Sequence, residues 1–251
     1  MRAIWTGAIG FGLVNIPIKI YSATQSSSLD LDMLDRKDKS NIRYKRVNEN
    51  TGKEVSWDNI VKGYLLKERY IVLEESDFEE ASPEKNKMIN LHSFVKIDEI
   101  DSIYFETPYY LEPQKGGEKA YQLLLKALEK SKTAGLGSFV MRNVENLAIV
   151  KPYNNSLILN KLRFEEEIRS MEELKLPGNI RIKKEEMDMA LQLIKQHNQS
   201  FDISQYRNEY TKELLKIIKQ KEKGKRASIR KINVENTKST DLLNKLKASL
   251  A

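Results

Sequence analysis

The chain has 251 residues, of which 40% are apolar, so it is long enough for one large domain, or one domain with an appendage, around a sizeable core. Forty-three Lys and Arg against 36 Asp and Glu give a net charge of +7, which points to an acidic partner: nucleic acid, an anionic membrane surface or an acidic protein. The absence of cysteine excludes disulfides, thiolate zinc sites and a cysteine nucleophile, and no run reaches the ~18 apolar residues of a membrane helix.

Met1 to Thr24 is glycine-punctuated and β-branched, which predicts two short strands joined at a bend. Gly7, Gly10 and Gly12 lack the order of a dinucleotide-binding loop and no helix follows them. They read as places where strands bend or approach closely. Gln25 to Asp38 is polar and reads as a loop or crossover. Between Arg36 and Arg46 six basic residues stand against Asp38 alone. Within that run Asn41 to Val47 alternates, Ile42 and Tyr44 on one side, Arg43 and Lys45 on the other, which predicts a strand with a cationic face. A turn at Asn50–Lys53 leads back through Glu54 to Val61, which carries Trp57. Two readings stand for this hairpin: an ordinary solvated face, or a basic ribbon lying along phosphates.

Arg69 to Leu73 and Leu91 to Ile97 read as further strands, with a short helix starting near Ser76 between them. Ile103 to Leu111 is aromatic and β-branched with Pro108 inside it, which predicts a strand whose exposed edge is interrupted. Pro113 to Gly117 then makes a turn. From Glu118 the period changes: Tyr121, Leu124, Leu125 and Leu128 fall at i, i+3, i+4 and i+7, one apolar face of a helix. The rest of the chain has to pack around this strand–turn–helix unit. Gly135–Met141 and Leu147–Val150 read as strands bracketing Arg142-Asn143, and Ser156–Phe164 alternates again. Seven or so short strands with few helices predict a mainly β fold with some α, a barrel or sandwich rather than a doubly wound sheet.

After Phe164 the character changes. A charged connector ends at Pro177-Gly178, and Lys184 to Asn198 reads as a helix with Met187, Ala190, Leu191 and Ile194 on one face. Asp202 to about Lys223 reads as a second helix, capped by Asp202 or Ser204, with the stripe Tyr206, Tyr210, Leu214 and Ile217. Such a stripe is core or is buried against a partner chain. Ten Lys and Arg face three acids from Arg207 to Lys231, densest in KQKEKGKRASIRK, and that segment reads as a flexible basic linker. The short amphipathic helix Asp241–Leu250, with Leu242, Leu243, Leu246 and Leu250, is too small to fold alone and has the layout of a docking tail.

Catalytic patterns are scarce. His92 and His197 are far apart without flanking ligands, Gly116-Gly117-Glu118-Lys119 lacks the spacing of a phosphate loop, and Asp98 and Asp101 sit among turns. No Ser-His-Asp or nuclease signature is present, so a binding protein without metal or other cofactor is favoured.

Three long segments carry a resemblance: AIWTGAIGFGLVNIPIKIYSAT, IRYKRVNENTGKEVSWDNIVKGY and IDSIYFETPYYLEPQKGGEKAYQLLLKAL, followed by YRNEYTKELLKIIKQKEKGK. In this order, over about Met1 to Lys225, the chain closely resembles the prokaryotic Ku proteins. The resemblance implies a Ku-type β-barrel core (1–200) with a long arm at about 25–67, a helical arm (201–225), and a basic linker with a docking helix (226–251). It further implies a cytoplasmic homodimer, associated with the nucleoid, whose two arms close a ring around linear double-stranded DNA ends. That ring recruits the ATP-dependent ligase D for non-homologous end joining and performs no bond chemistry, with no membrane partner. Carried onto this sequence, Arg36, Lys37, Arg43, Lys45, Arg46 and Lys53 are expected to face phosphates. Lys62 and Arg69 join them at the arm's return, and Arg142 contributes from the barrel. Tyr206, Tyr210, Leu214 and Ile217 are expected to meet the second subunit, and Leu242, Leu243, Leu246 and Leu250 the ligase. Without zinc, the arm is expected to rest on packing around Tyr44 and Trp57. One departure stands out: the long lysine-rich tail with proline and alanine repeats, found in many bacterial Ku proteins, is absent. The alternatives are a metal-dependent nuclease with a scattered acidic site, or a general basic protein binding nucleic acid or membranes.

Overall fold

The computed structural model describes residues 1–81, 87–224 and 242–250, without the side chains of Leu242 and Leu250. The first two β-branched runs form the expected hairpin, β1 (Trp5–Phe11) and β2 (Val14–Ser22), paired antiparallel from Trp5↔Ile20 to Phe11↔Val14. Gly12 turns it with φ of 59°, a left-handed value open to glycine without steric cost. Gly7 serves close approach, since a Cβ there would lie 2.1 Å from the Lys87 carbonyl oxygen of the neighbouring chain segment.

The remaining elements follow in order: β3 (Lys62–Leu66), β4 (Arg69–Leu73), α1 (Glu75–Ala81), β5 (Met88–Val95), β6 (Phe105–Pro113), α2 (Glu118–Ser131), β7 (Ala134–Met141), β8 (Val144–Tyr153), β9 (Ser156–Leu162), α3 (Lys184–His197), α4 (Glu209–Glu222) and α5 (Leu242–Leu250). Seven strands close a barrel in the order β1-β2-β6-β9-β8-β7-β5, all neighbours antiparallel except β5 with β1. The choice between barrel and sandwich is therefore resolved as a barrel. Closure also corrects the expected interrupted edge. The run before Phe105 is a 3-10 turn, Ser102–Tyr104, and β6 is an interior strand between β2 and β9. Pro108 lies where the register with β9 shifts, so its missing N–H falls at an irregularity of the ladder.

Alternation along the strands makes two apolar faces. On one, Ile16, Ile18 and Ile20 of β2, Ala148 and Val150 of β8, and Leu157 and Leu159 of β9 are buried together with Tyr121, Leu124, Leu125 and Leu128 of α2. The four α2 residues are those whose spacing predicted the buried face. On the opposite face a smaller cluster gathers Ala134, Ile149 and Leu162, with Leu136, Leu147, Ile100, Tyr104 and Phe105 around it.

Tyr121 also fixes the helix by polar bonds. Its hydroxyl accepts the Leu157 N–H at 2.7 Å, donates to the Leu111 carbonyl at 2.8 Å, and lies 2.9 Å from Ser156 Oγ. Tyr121→Phe keeps the ring but strands two buried backbone groups. It is expected to lower stability by about 1–3 kcal/mol, read as a shift of the urea midpoint; an unchanged midpoint would show that water replaces the hydroxyl.

The chain divides into two compact units, residues 1–26 with 31–169, and residues 27–30 with 170–251. The division falls close to the change of character after Phe164. In the second unit, the helix expected from Asp202 begins later. Asp202 caps a 3-10 turn, Ile203–Gln205, through the Ser204 N–H, and α4 starts at Glu209, where Asn208 accepts from Thr211. The bonds from Ser204 hold the Asp202 carboxyl below its ordinary range. Asn208 and Thr211 also bond Ser27, which ties residues 27–30 to the start of α4. On α3 the expected face is displaced. Met189, Ala190 and Leu193 are half-buried, Met187, Leu191 and Ile194 are exposed, and α3 packs against α5.

Candidate nucleic-acid interface

The basic stretch is built from tight turns rather than from a ladder. Asp35 and Asp38 take backbone and side-chain bonds from Lys37, Lys39 and Ser40, closing one turn that carries Arg36 and Lys37. Asn48 accepts from the N–H groups of Asn50 and Thr51 and closes a second, which presents Lys53. Between them the backbone of Asn41–Val47 pairs with its neighbours only at single bridges, Leu34↔Asn41 and Val47↔Glu54. The expected strand is thus corrected to an irregular extended run, because Asp and Asn side chains at both ends fold the flanking backbone into turns. The expected packing centre is corrected too: Tyr44 is 80% and Trp57 68% exposed.

Within this run the cations divide by partner. Lys45 makes an exposed ion pair with Glu54 at 2.7 Å, and the Arg46 guanidinium stacks 4.3 Å from the centre of the Trp57 ring. Arg36, Arg43 and Lys53 carry no ion pair among the described residues. Next in the chain, β3 and β4 form a two-stranded sheet of their own. Lys62 and Arg69, grouped in the sequence reading, are not brought together, because Lys62 pairs with Leu73 at one end of that ladder and Arg69 with Leu66 at the other. Lys62 lies over the Phe78 ring of α1 at 4.6 Å. Arg142 stands at the tip of the β7–β8 hairpin with φ of 56°, followed by Asn143 at 61°. Asparagine suits that left-handed turn, whereas arginine there is uncommon.

The apolar stripe on the helical arm is split. Tyr206 precedes α4 and is exposed with Tyr210, while Leu214 and Ile217 are half-buried within the helix. In α5, Leu243 and Leu246 are half-buried. The linker expected at 226–241 and the side chains of Leu242 and Leu250 lie outside the described residues. Among the described residues no group of three or more His, Asp or Glu is placed to hold a metal ion, and no helix is long and apolar enough to cross a membrane. His92 bonds Ser138 Oγ at 3.1 Å.

The barrel's sequence matches a family model described as the Ku70/Ku80 beta-barrel domain over residues 10–189. The chain belongs to the Ku family. It is 40% identical over 254 residues to the non-homologous end joining protein Ku of Archaeoglobus fulgidus, covering 100% of this chain and 98% of that protein. The protein of the same name from Coxiella burnetii is 37% identical, over 99% and 94% of the two chains. That of Bacillus subtilis is 34% identical, over 91% and 75%. All nine cations of the candidate interface lie inside the Ku match, whereas α4 and α5 lie beyond its end at residue 189. The sequence reading missed β3 and the Arg46–Trp57 stack. Both residues of that stack were visible, but their meeting depends on the Val47↔Glu54 bridge.

Proposed function

We propose that this chain is a DNA-end-binding protein of non-homologous end joining, acting as a homodimeric ring without bond chemistry of its own. The observation that carries this reading is the arm at about 25–67, whose last strand, β3, pairs only with β4. It presents exposed cations and has no apolar core: Tyr64 and Tyr70 are 65% and 71% exposed, like Tyr44 and Trp57. A two-stranded sheet is marginal in water unless something packs on it. A second copy of the arm, related by two-fold symmetry, supplies such a partner and leaves the cations for phosphates. Contacts to phosphates fix position without reading bases, so binding is expected to be independent of sequence. Tyr206, Tyr210, Leu214 and Ile217 are proposed to meet the second subunit. The tail from residue 226, with α5, is proposed to recruit the ATP-dependent ligase D.

The test is a gel-shift competition between one plasmid in linear form and the same plasmid covalently closed. Linear DNA is expected to compete far better, because a closed ring loads only at a free end. Equal competition per base pair would reduce the chain to an ordinary basic DNA binder.

A further inference from the structure

The face of the barrel opposite α2 carries a hollow of about 350 Å³, at the small end of the range for ligand sites, about 300–1,000 Å³. From the strands it is lined by Leu136, Leu147 and Leu162, which rest on the buried Ala134 and Ile149. Val95 at the end of β5 and Ile100 and Tyr104 in the following crossover line it from the other side. That crossover is pinned in place. Asp101 accepts the Ile103 N–H at 3.0 Å, and the Tyr104 carbonyl accepts the Arg163 N–H at 2.8 Å. The hollow is therefore preformed.

The charge around it runs against the rest of the chain. Glu99, Asp101 and Glu165 line the opening with Arg163, and Asp98, Glu166 and Glu167 adjoin them in sequence. Three carboxylates against one arginine around an apolar hollow, in a chain of net charge +7, make a place that disfavours phosphates relative to the arm. DNA binding gives no account of it. An apolar floor favours an apolar side chain, and the exposed carboxylates beside it favour cations over anions.

We propose that this hollow docks a peptide segment of a partner protein in which a large apolar side chain is flanked by Lys or Arg. The apolar side chain enters among Leu136, Leu147 and Leu162 and supplies the affinity, while the flanking cations meet Glu99 and Glu165 and set approach and register. The partner is bound on a surface separate in charge from the arm, so one molecule can hold DNA and this partner together.

The test is selection of a random peptide library displayed on phage against the folded full chain, with Glu99→Lys/Glu165→Lys as counter-target. Enriched peptides are expected to carry a large apolar residue between Lys or Arg. Synthetic copies are expected to bind the double variant about tenfold more weakly in fluorescence anisotropy. The variant's affinity for linear duplex DNA does not fall, so failure here is distinct from failure of the end-binding reading. Both substituted residues are exposed, which keeps the variant foldable, and circular dichroism checks this. Enrichment of no sequence, or peptides that bind both proteins alike, would overturn the proposal. Equal binding by Lys/Arg peptides without an apolar residue would also overturn it, since the hollow would then play no part.

Discussion

Reversal of Arg43 and Lys45 to glutamate is expected to remove end binding while leaving the barrel folded. Both side chains sit on the irregular run between the two turns of the arm, outside the barrel ladders, so no core contact is lost. If about six phosphates are neutralised, log K falls with log salt at a slope of about −5, at about −0.9 per contact. The substitutions stand in both subunits of the ring, so four of the six contacts go, the slope falls to about −1.8, and four new carboxylates add repulsion. The affinity at moderate salt is expected to drop on the order of 100-fold or more. A gel shift across a salt series reads both quantities, and unchanged affinity and slope would refute the assignment of this segment. The single neutral variants carry a finer expectation. Lys45 already has Glu54 at 2.7 Å, and a phosphate has to replace that partner, whereas Arg43 has no ion pair to give up. Arg43→Gln is therefore expected to weaken binding more than Lys45→Gln.

What the sequence made legible is what local periodicity specifies. The α2 face was readable because four residues at helical spacing are all apolar and all buried. The β1–β2 hairpin was readable because Gly12 marks its turn. The β3–β4 hairpin escaped because its turn uses Lys67 and Glu68 in left-handed conformation, with φ of 46° and 69°, and neither residue type signals such a turn. The strand expected at Asn41–Val47 failed for the opposite reason. Its alternation was real, but the flanking Asp35, Asp38 and Asn48 hold the backbone in turns. Helix α4 was read too long at its start because Asp202 has the right chemistry for a cap and uses it on a 3-10 turn, seven residues before Glu209. The cationic arm could be listed from the sequence, but which cations are already paired could not, because Arg46–Trp57 and Lys62–Phe78 depend on tertiary placement.

Truncation after Lys225 is expected to leave linear-DNA binding intact and to reduce ligase stimulation to the level of ligase alone. Helix α5 is nine residues long, below the ~12–15 at which an isolated helix holds in water. It needs a surface, and in this chain it packs against α3. Its half-buried Leu243 and Leu246 are thus engaged within the chain, while α3 keeps Met187, Leu191 and Ile194 exposed. A ligase that takes α5 has either to draw it off α3 or to bind the α3–α5 pair as one surface. Leu246→Asp separates these roles from simple tethering, since a charge at a half-buried position weakens packing on either surface. Loss of stimulation in both the truncation and Leu246→Asp places the ligase contact on the helix. Loss in the truncation alone places it on the preceding basic run. Full stimulation by the truncated chain rejects the tail as the ligase's docking element and moves the search to the exposed face of α3.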